Sequence, residues 1–148
     1  MPAVRGATLA DIPAIRDVDR SLDQRVSKKS VVEHAIEGGR VAVALAGDDV
    51  SGYLRWEWFW DRVPLCVFVR VRPSHQRTGV GRALYAHVEA DLAARGCEFW
   101  LSSTEETNDR SLRFHRALGF RLVGALSDLG QEAREIFMRK DLVPRDSA

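Results

Sequence analysis

Seven consecutive residues, Gln76, Arg77, Thr78, Gly79, Val80, Gly81 and Arg82, follow an apolar strand pattern that ends at Pro73 and open a helical one. The first four amides of a helix have no partner inside it, and with the helix dipole they make an anion site. Glycines at 79 and 81 remove side chains that would hold a phosphate away. The P-loop pattern needs Gly-Lys-Ser/Thr, but Gly81 is followed by Arg82 and Ala83, which argues against a nucleoside triphosphatase. A dinucleotide fold needs a third small residue where Leu84 stands, and an acidic residue at the end of the next strand, where neither Asp91 nor Glu98 falls.

The elements that must position this loop are legible from periodicity and breakers. Thr8 and Asp11 read as the start of a helix running to about Arg20, with Pro13 tolerated in its first turn. A second helix is predicted after Ser27, stopping at Gly38 and Gly39. Arg40 to Ala46 and Val50 to Trp60 read as a hairpin around Gly47 to Asp49, Asp61 to Pro64 as a turn, and Leu65 to Val71 as an apolar strand. From Gly79 to Arg95 the residues Val80, Leu84, Val88 and Leu92 recur every four positions and wind one stripe along a helix. Glu98 to Thr104 is then a strand, Asn108 caps a helix ending at Leu118 and Gly119, and Phe120 to Leu126 and Arg134 to Leu142 supply the last strands.

Two motifs in this frame match one family. Gln76-x-x-Gly79-x-Gly81, behind a strand ending Val71-Arg72-Pro73, and "NDRSLRFHRALGF", with Asn108, Phe114, Leu118, Gly119 and Phe120, resemble the GNAT superfamily of acyl-CoA-dependent N-acyltransferases. The order of elements agrees over roughly residues 3 to 142. The resemblance implies an α/β (α+β) single domain over residues 1–148, with a frayed tail at 143–148. It implies a mixed, mostly antiparallel twisted sheet of about six or seven strands, about four flanking helices, and a splay between the two central strands.

The resemblance also implies roles. The amides of Arg77, Thr78, Gly79, Val80, Gly81 and Arg82, with Gln76 in the motif, would hold the pyrophosphate of acetyl-CoA. The peptide groups of Val69 and Val71, on a bulged strand, would pair with the pantetheine arm like an added strand, and Asn108 would contact the arm as well as capping its helix. Relatives often carry a tyrosine after the position of Phe114 as acid for the leaving thiolate; here it is His115, which is either that acid or a positioning histidine. Relatives often use a carboxylate to deprotonate the amine. "LCVFVRV" holds none and Ser103 stands where some relatives place a glutamate, so Glu57, Asp61, Glu105 and Glu106 are the candidates, each with a solvated-surface alternative. In "YLRWEWFW", Leu54, Trp56, Trp58 and Trp60 alternate onto one face. That face is either a wall against helices or, at Trp58 and Trp60, part of an acceptor pocket. Arg113 and Arg116 either meet the adenosine phosphate or form a solvated face.

Composition bounds the partners. With 22 basic and 21 acidic residues the net charge is +1, which marks neither a nucleic-acid nor a membrane-surface binder. Cys66 and Cys97 lack zinc-type spacing, no metal set stands out, and no apolar run is long enough to span a bilayer, so a cytoplasmic protein with reduced thiols is expected. The expected reaction is acetyl transfer from acetyl-CoA to a primary amine by direct attack in a ternary complex. The alternative is a CoA-binding sensor without turnover, and a homodimer is expected by analogy.

Overall fold

The computed structural model describes residues 1–22 and 29–144. Strands are β1 (Ala3–Gly6), β2 (Val41–Ala46), β3 (Asp49–Phe59), β4 (Val63–Val71), β5 (Phe99–Glu105), β6 (Arg121–Leu126) and β7 (Glu135–Asp141). Helices are α1 (Ile12–Val18), α2 (Lys29–Glu37), α3 (Val80–Ala94) and α4 (Asp109–Ala117), with single 3-10 turns at Leu9–Asp11 and Pro73–His75. The strands form one sheet in the order β1-β2-β3-β4-β5-β7-β6. Pairing is antiparallel for β1–β2, β2–β3, β5–β7 and β7–β6, and parallel for β4–β5, with Leu65 opposite Leu101 and Cys66 opposite Ser102.

The chain clusters into two compact units, Met1–Glu57 with Val67–Asp91, and Trp58–Cys66 with Leu92–Ala148. In the first, the core joins Ile12 and Ile15 of α1, Val32, Ala35 and Ile36 of α2, and Val41, Val43, Val50 and Tyr53 of the sheet. β3 is buried on both faces from Val50 to Trp56, as a strand inside a sheet covered on both sides must be. Tyr53 keeps a polar partner there: its hydroxyl donates to Asp19 at 2.6 Å. In the second unit, β7 lies between β5 and β6, and Ile136 and Met138 supply its buried positions.

Several sequence expectations are corrected. β1 was missed because four residues carry too little alternation; it pairs with β2, and Arg5 reaches Asp11 at 2.7 Å and 3.0 Å. That guanidinium holds the Asp11 carboxyl below its usual range, with the Thr8 amide also donating to it. The first helix begins at Ile12 behind a 3-10 turn and ends at Val18, not Arg20. β4 begins at Val63, so Pro64 lies in the strand near its start, where a missing donor is tolerated. Trp60 is not in β3: it and Asp61 both have φ near 54°, and the Arg62 amide donates to the Phe59 carbonyl at 3.2 Å, the pattern of a type I′ hairpin turn. The expected start of α2 just after Ser27, and residues 145–148 of the tail expected to fray at 143–148, lie outside the described residues.

Candidate active site

The loop between β4 and α3 is held at its root and left bare at its tip. At the root, the Arg72 amide donates to the Ser51 carbonyl at 2.8 Å, its Nε to the Val50 carbonyl at 2.7 Å, and its NH1 to Asp17 at 2.6 Å. Gly52 seats the helix start: a Cβ there would lie 2.9 Å from the Arg70 carbonyl oxygen, too close to be accommodated without a shift, and 3.1 Å from Val80 Cγ1. The Thr78 hydroxyl donates to the His75 carbonyl, and Gln76 Nε2 reaches the Val71 carbonyl at 3.4 Å.

Gly79 then turns the chain at φ 85°, a value that side chains disfavour, and its carbonyl accepts the Ala83 amide as the first bond of α3. The amides of residues 77–82 donate to no acceptor among the described residues. The stripe Val80, Leu84, Val88 and Leu92 is buried, so α3 is anchored while its N-terminal end stays open. No acidic side chain occupies its first turn. This is an anion-binding geometry.

The other sequence-picked residues are placed differently. Asn108 caps α4: its Oδ1 accepts the Ser111 amide at 3.1 Å, and its Nδ2 has no partner among the described residues. His115 is 4% exposed and lies between the rings of Phe114 and Phe120, each edge-on. Its Nδ1 is 2.7 Å from the Ser111 carbonyl, which can only accept, so Nδ1 carries the proton; Nε2 then accepts from the Ser102 hydroxyl at 2.8 Å. Burial pushes its pKa down, so the ring stays neutral with no proton on Nε2.

Two of the candidate bases are in ion pairs. Glu57 takes Arg55 NH1 at 2.7 Å on one oxygen and Arg40 Nε at 3.1 Å on the other. Glu106 takes Arg134 Nε at 2.9 Å and the Arg134 amide at 3.2 Å, and these bonds hold its carboxyl below the usual range. Glu105 ends β5 directly opposite Glu135 of β7. Glu135, which the sequence alone did not single out, has a buried Oε1 without a hydrogen-bond partner among the described residues. Its pKa is raised, first by burial and then by Glu105. The signal was a cross-strand register that no local pattern reveals.

The tryptophan run divides. Trp56 is 1% exposed and belongs to the core, Trp58 is 39% exposed, and Trp60, 77% exposed at the hairpin tip, stacks on Phe59 with ring centres 4.6 Å apart. Among the described residues no group of His, Cys, Asp and Glu gathers as a metal site, and no helix is long and apolar enough to cross a membrane.

Comparison with known proteins agrees with this fold. A 62-residue stretch is 37% identical to phosphinothricin N-acetyltransferase of Streptomyces viridochromogenes, spanning 42% of this chain but only 34% of that relative. An acetyltransferase of the GNAT family from Bacillus cereus superposes with TM-score 0.82 at 22% identity, over 97% of this chain and 99% of the other. The structure of yncA from Salmonella typhimurium, solved with its cofactor acetyl-CoA, superposes with TM-score 0.78 at 22% identity, over 99% and 96% of the two chains. The acetyltransferase (GNAT) family profile matches residues 12–120, and the chain belongs to that family of acetyltransferases.

Proposed function

We propose that this protein transfers the acetyl group of acetyl-CoA to a primary amine, of a small molecule or of a peptide or protein, by direct attack in a ternary complex. The row of bare amides at residues 77–82, on the open N-terminal end of an anchored helix, carries this reading. It suits a pyrophosphate, whose charge the helix dipole favours. Val69 and Val71 would offer peptide groups to the amide-bearing arm, and the free Nδ2 of Asn108 suits the same arm. The Val69 amide would steady the oxyanion as the amine adds to the acetyl carbonyl and the C–S bond breaks.

An amine with a pKa of about 10.4 is protonated at neutral pH and must lose a proton before attack. Glu57 and Glu106 are spoken for by arginines, so we assign the base to Glu135, where partial burial and then the facing Glu105 favour taking up a proton. His115, without a proton on Nε2, is assigned to holding α4 against Ser102 of β5, and water protonates the thiolate. Trp58 and Trp60 are assigned to the acceptor side, on the exposure of the hairpin tip and its strained backbone.

The engagement of His115, Glu57 and Glu106 also favours a second reading, a CoA-binding sensor without turnover. Thiol release from acetyl-CoA across a panel of primary amines separates the two. Amine-dependent release with a product heavier by one acetyl group supports the transferase; tight CoA binding with no release on any amine supports the sensor. A cytoplasmic location is proposed from the scarcity of cysteine, Cys66 and Cys97 being the two in the sequence. A homodimer is proposed from the exposed Leu122, Val123 and Leu126 on edge strand β6, to be checked by the mass in solution.

A further inference from the structure

We propose that Arg40, Arg55 and Arg70, gathered about Glu57 and the Phe68 ring, form a carboxylate-binding subsite, so that the acceptor amine carries an anionic group; this rests on the acetyl-transfer reading. Glu57 is shared between Arg55 NH1 at 2.7 Å and Arg40 Nε at 3.1 Å. The guanidinium carbons of Arg55 and Arg70 lie 5.3 Å and 5.8 Å from the centre of the Phe68 ring. Two guanidinium groups therefore share a single carboxylate, and a third lies over the same aromatic ring. Arg40 and Arg55 are only 9% and 6% exposed, and Arg55 Nε is buried with no acceptor.

Charge decides between a structural ion pair and a ligand site. A buried pair that serves only the fold has its charges balanced and its donors met. Here the cluster keeps excess positive charge and an orphaned N–H on its most buried arginine. Asp19, the buried carboxylate bonded to Tyr53 on the same strand, is taken by the Tyr53 hydroxyl at 2.6 Å and by Ser21 at 2.8 Å. A second carboxylate, arriving from outside, would supply both the missing charge and the missing acceptor. The planar guanidinium fork matches that group, and its face is already stacked near an aromatic ring.

Access and position fit. The Glu57 side chain is 30% exposed and Arg70 lies at the surface, so solvent reaches the cluster. Gly38 leaves the space that the Arg40 guanidinium fills, since a Cβ there would collide with it. On β4, Phe68 and Arg70 flank Val69, the residue whose amide is assigned to the reacting carbonyl.

The test compares amines that differ only in this charge: free amino acids against their carboxamides, at equal concentrations of deprotonated amine. The wild-type enzyme is expected to favour the carboxylate member in kcat/KM by about tenfold to a hundredfold, as for a charge-assisted hydrogen bond. Arg55→Gln should bring that ratio towards one, mainly through KM, and Arg55→Lys should keep part of it. Equal kcat/KM for the two members in the wild type, or an equal loss for both in Arg55→Gln, would overturn the subsite. Acidic peptides run beside the free amino acids show which source supplies the carboxylate. Titration of CoA-bound wild-type protein with sodium succinate, read at the Arg55 Nε–H resonance, needs neither turnover nor a variant. A saturable shift there without acetylation of any amine keeps the subsite and sinks the transfer reading; no shift overturns the subsite.

Discussion

The junction between β4 and α3 and the junction between β5 and α4 both turn a strand into a helix, and they finish the turn in opposite ways. At the first, residues 77–82 present amides without acceptors among the described residues, and no acidic residue enters the first helical turn. At the second, Asn108 takes the Ser111 amide, Asp109 sits in the first turn, and the Asn108 amide is bonded to the Glu105 carbonyl. A helix start becomes a ligand site only where its own sequence withholds the cap and the carboxylate that would otherwise satisfy it. At the capped junction the strand end sets Glu105 opposite Glu135 of β7, the proposed base.

Glu135→Gln should therefore have the largest effect near the closed junction. Turnover is expected to fall by roughly a hundredfold or more if Glu135 is the base, with little change in CoA affinity, as read by thiol release and calorimetry. The wild-type kcat/KM should rise with pH through a midpoint above the ordinary glutamate value, and the variant should lose that limb. Stability has its own sign. A carboxyl with a raised folded pKa contributes stability below its unfolded pKa and loses it as pH rises through the folded one, so Glu135→Gln should flatten that decline.

At the open junction, Gly79→Asp puts a carboxylate on the bare amides and a side chain at φ 85°. CoA affinity should weaken by up to about thirtyfold, because the new carboxylate repels the pyrophosphate at a helix start worth up to ~2 kcal/mol to an anion. Calorimetric titration with CoA checks it, and unchanged affinity would remove the contrast between the junctions.

His115→Gln sharpens the contrast from the closed side. Losing two buried hydrogen bonds and ring packing should cost about 2–3 kcal/mol, seen as a fall in Tm. Because burial lowers its pKa, the contribution of His115 is present above the ordinary histidine value and is lost as pH falls through the folded one, and the variant should not show that loss. A variant that unfolds normally but loses the basic limb of turnover would return His115 to the role of acid. Asn108→Ala should be the mildest, costing about 1 kcal/mol of stability as a lost cap, with CoA affinity reduced only a few-fold when titrated alongside Gly79→Asp.

How much of this could be read from the sequence follows the range of each interaction. The glycine loop was legible because Pro73, Gly79 and Gly81 act on their own backbone, and the buried stripe of α3 was legible because its period is local. Trp60 and Asp61 hid a type I′ turn, since neither is the glycine or asparagine that announces one. The state of His115 is set by Ser102 on β5, that of Glu135 by Glu105 on a paired strand, and that of Glu57 by Arg40 from outside its strand. Sequence named titratable groups; partners distant in sequence decided which of them are occupied.

The central claim is that the open junction, and not the capped one, receives the pyrophosphate of CoA. Amide resonances followed during titration with CoA test it directly. The account predicts that residues 77–82 move most, and that Gly79→Asp carries the midpoint of their shifts to higher CoA concentration. Shifts concentrated at residues 108–111, with 77–82 unmoved, would contradict it.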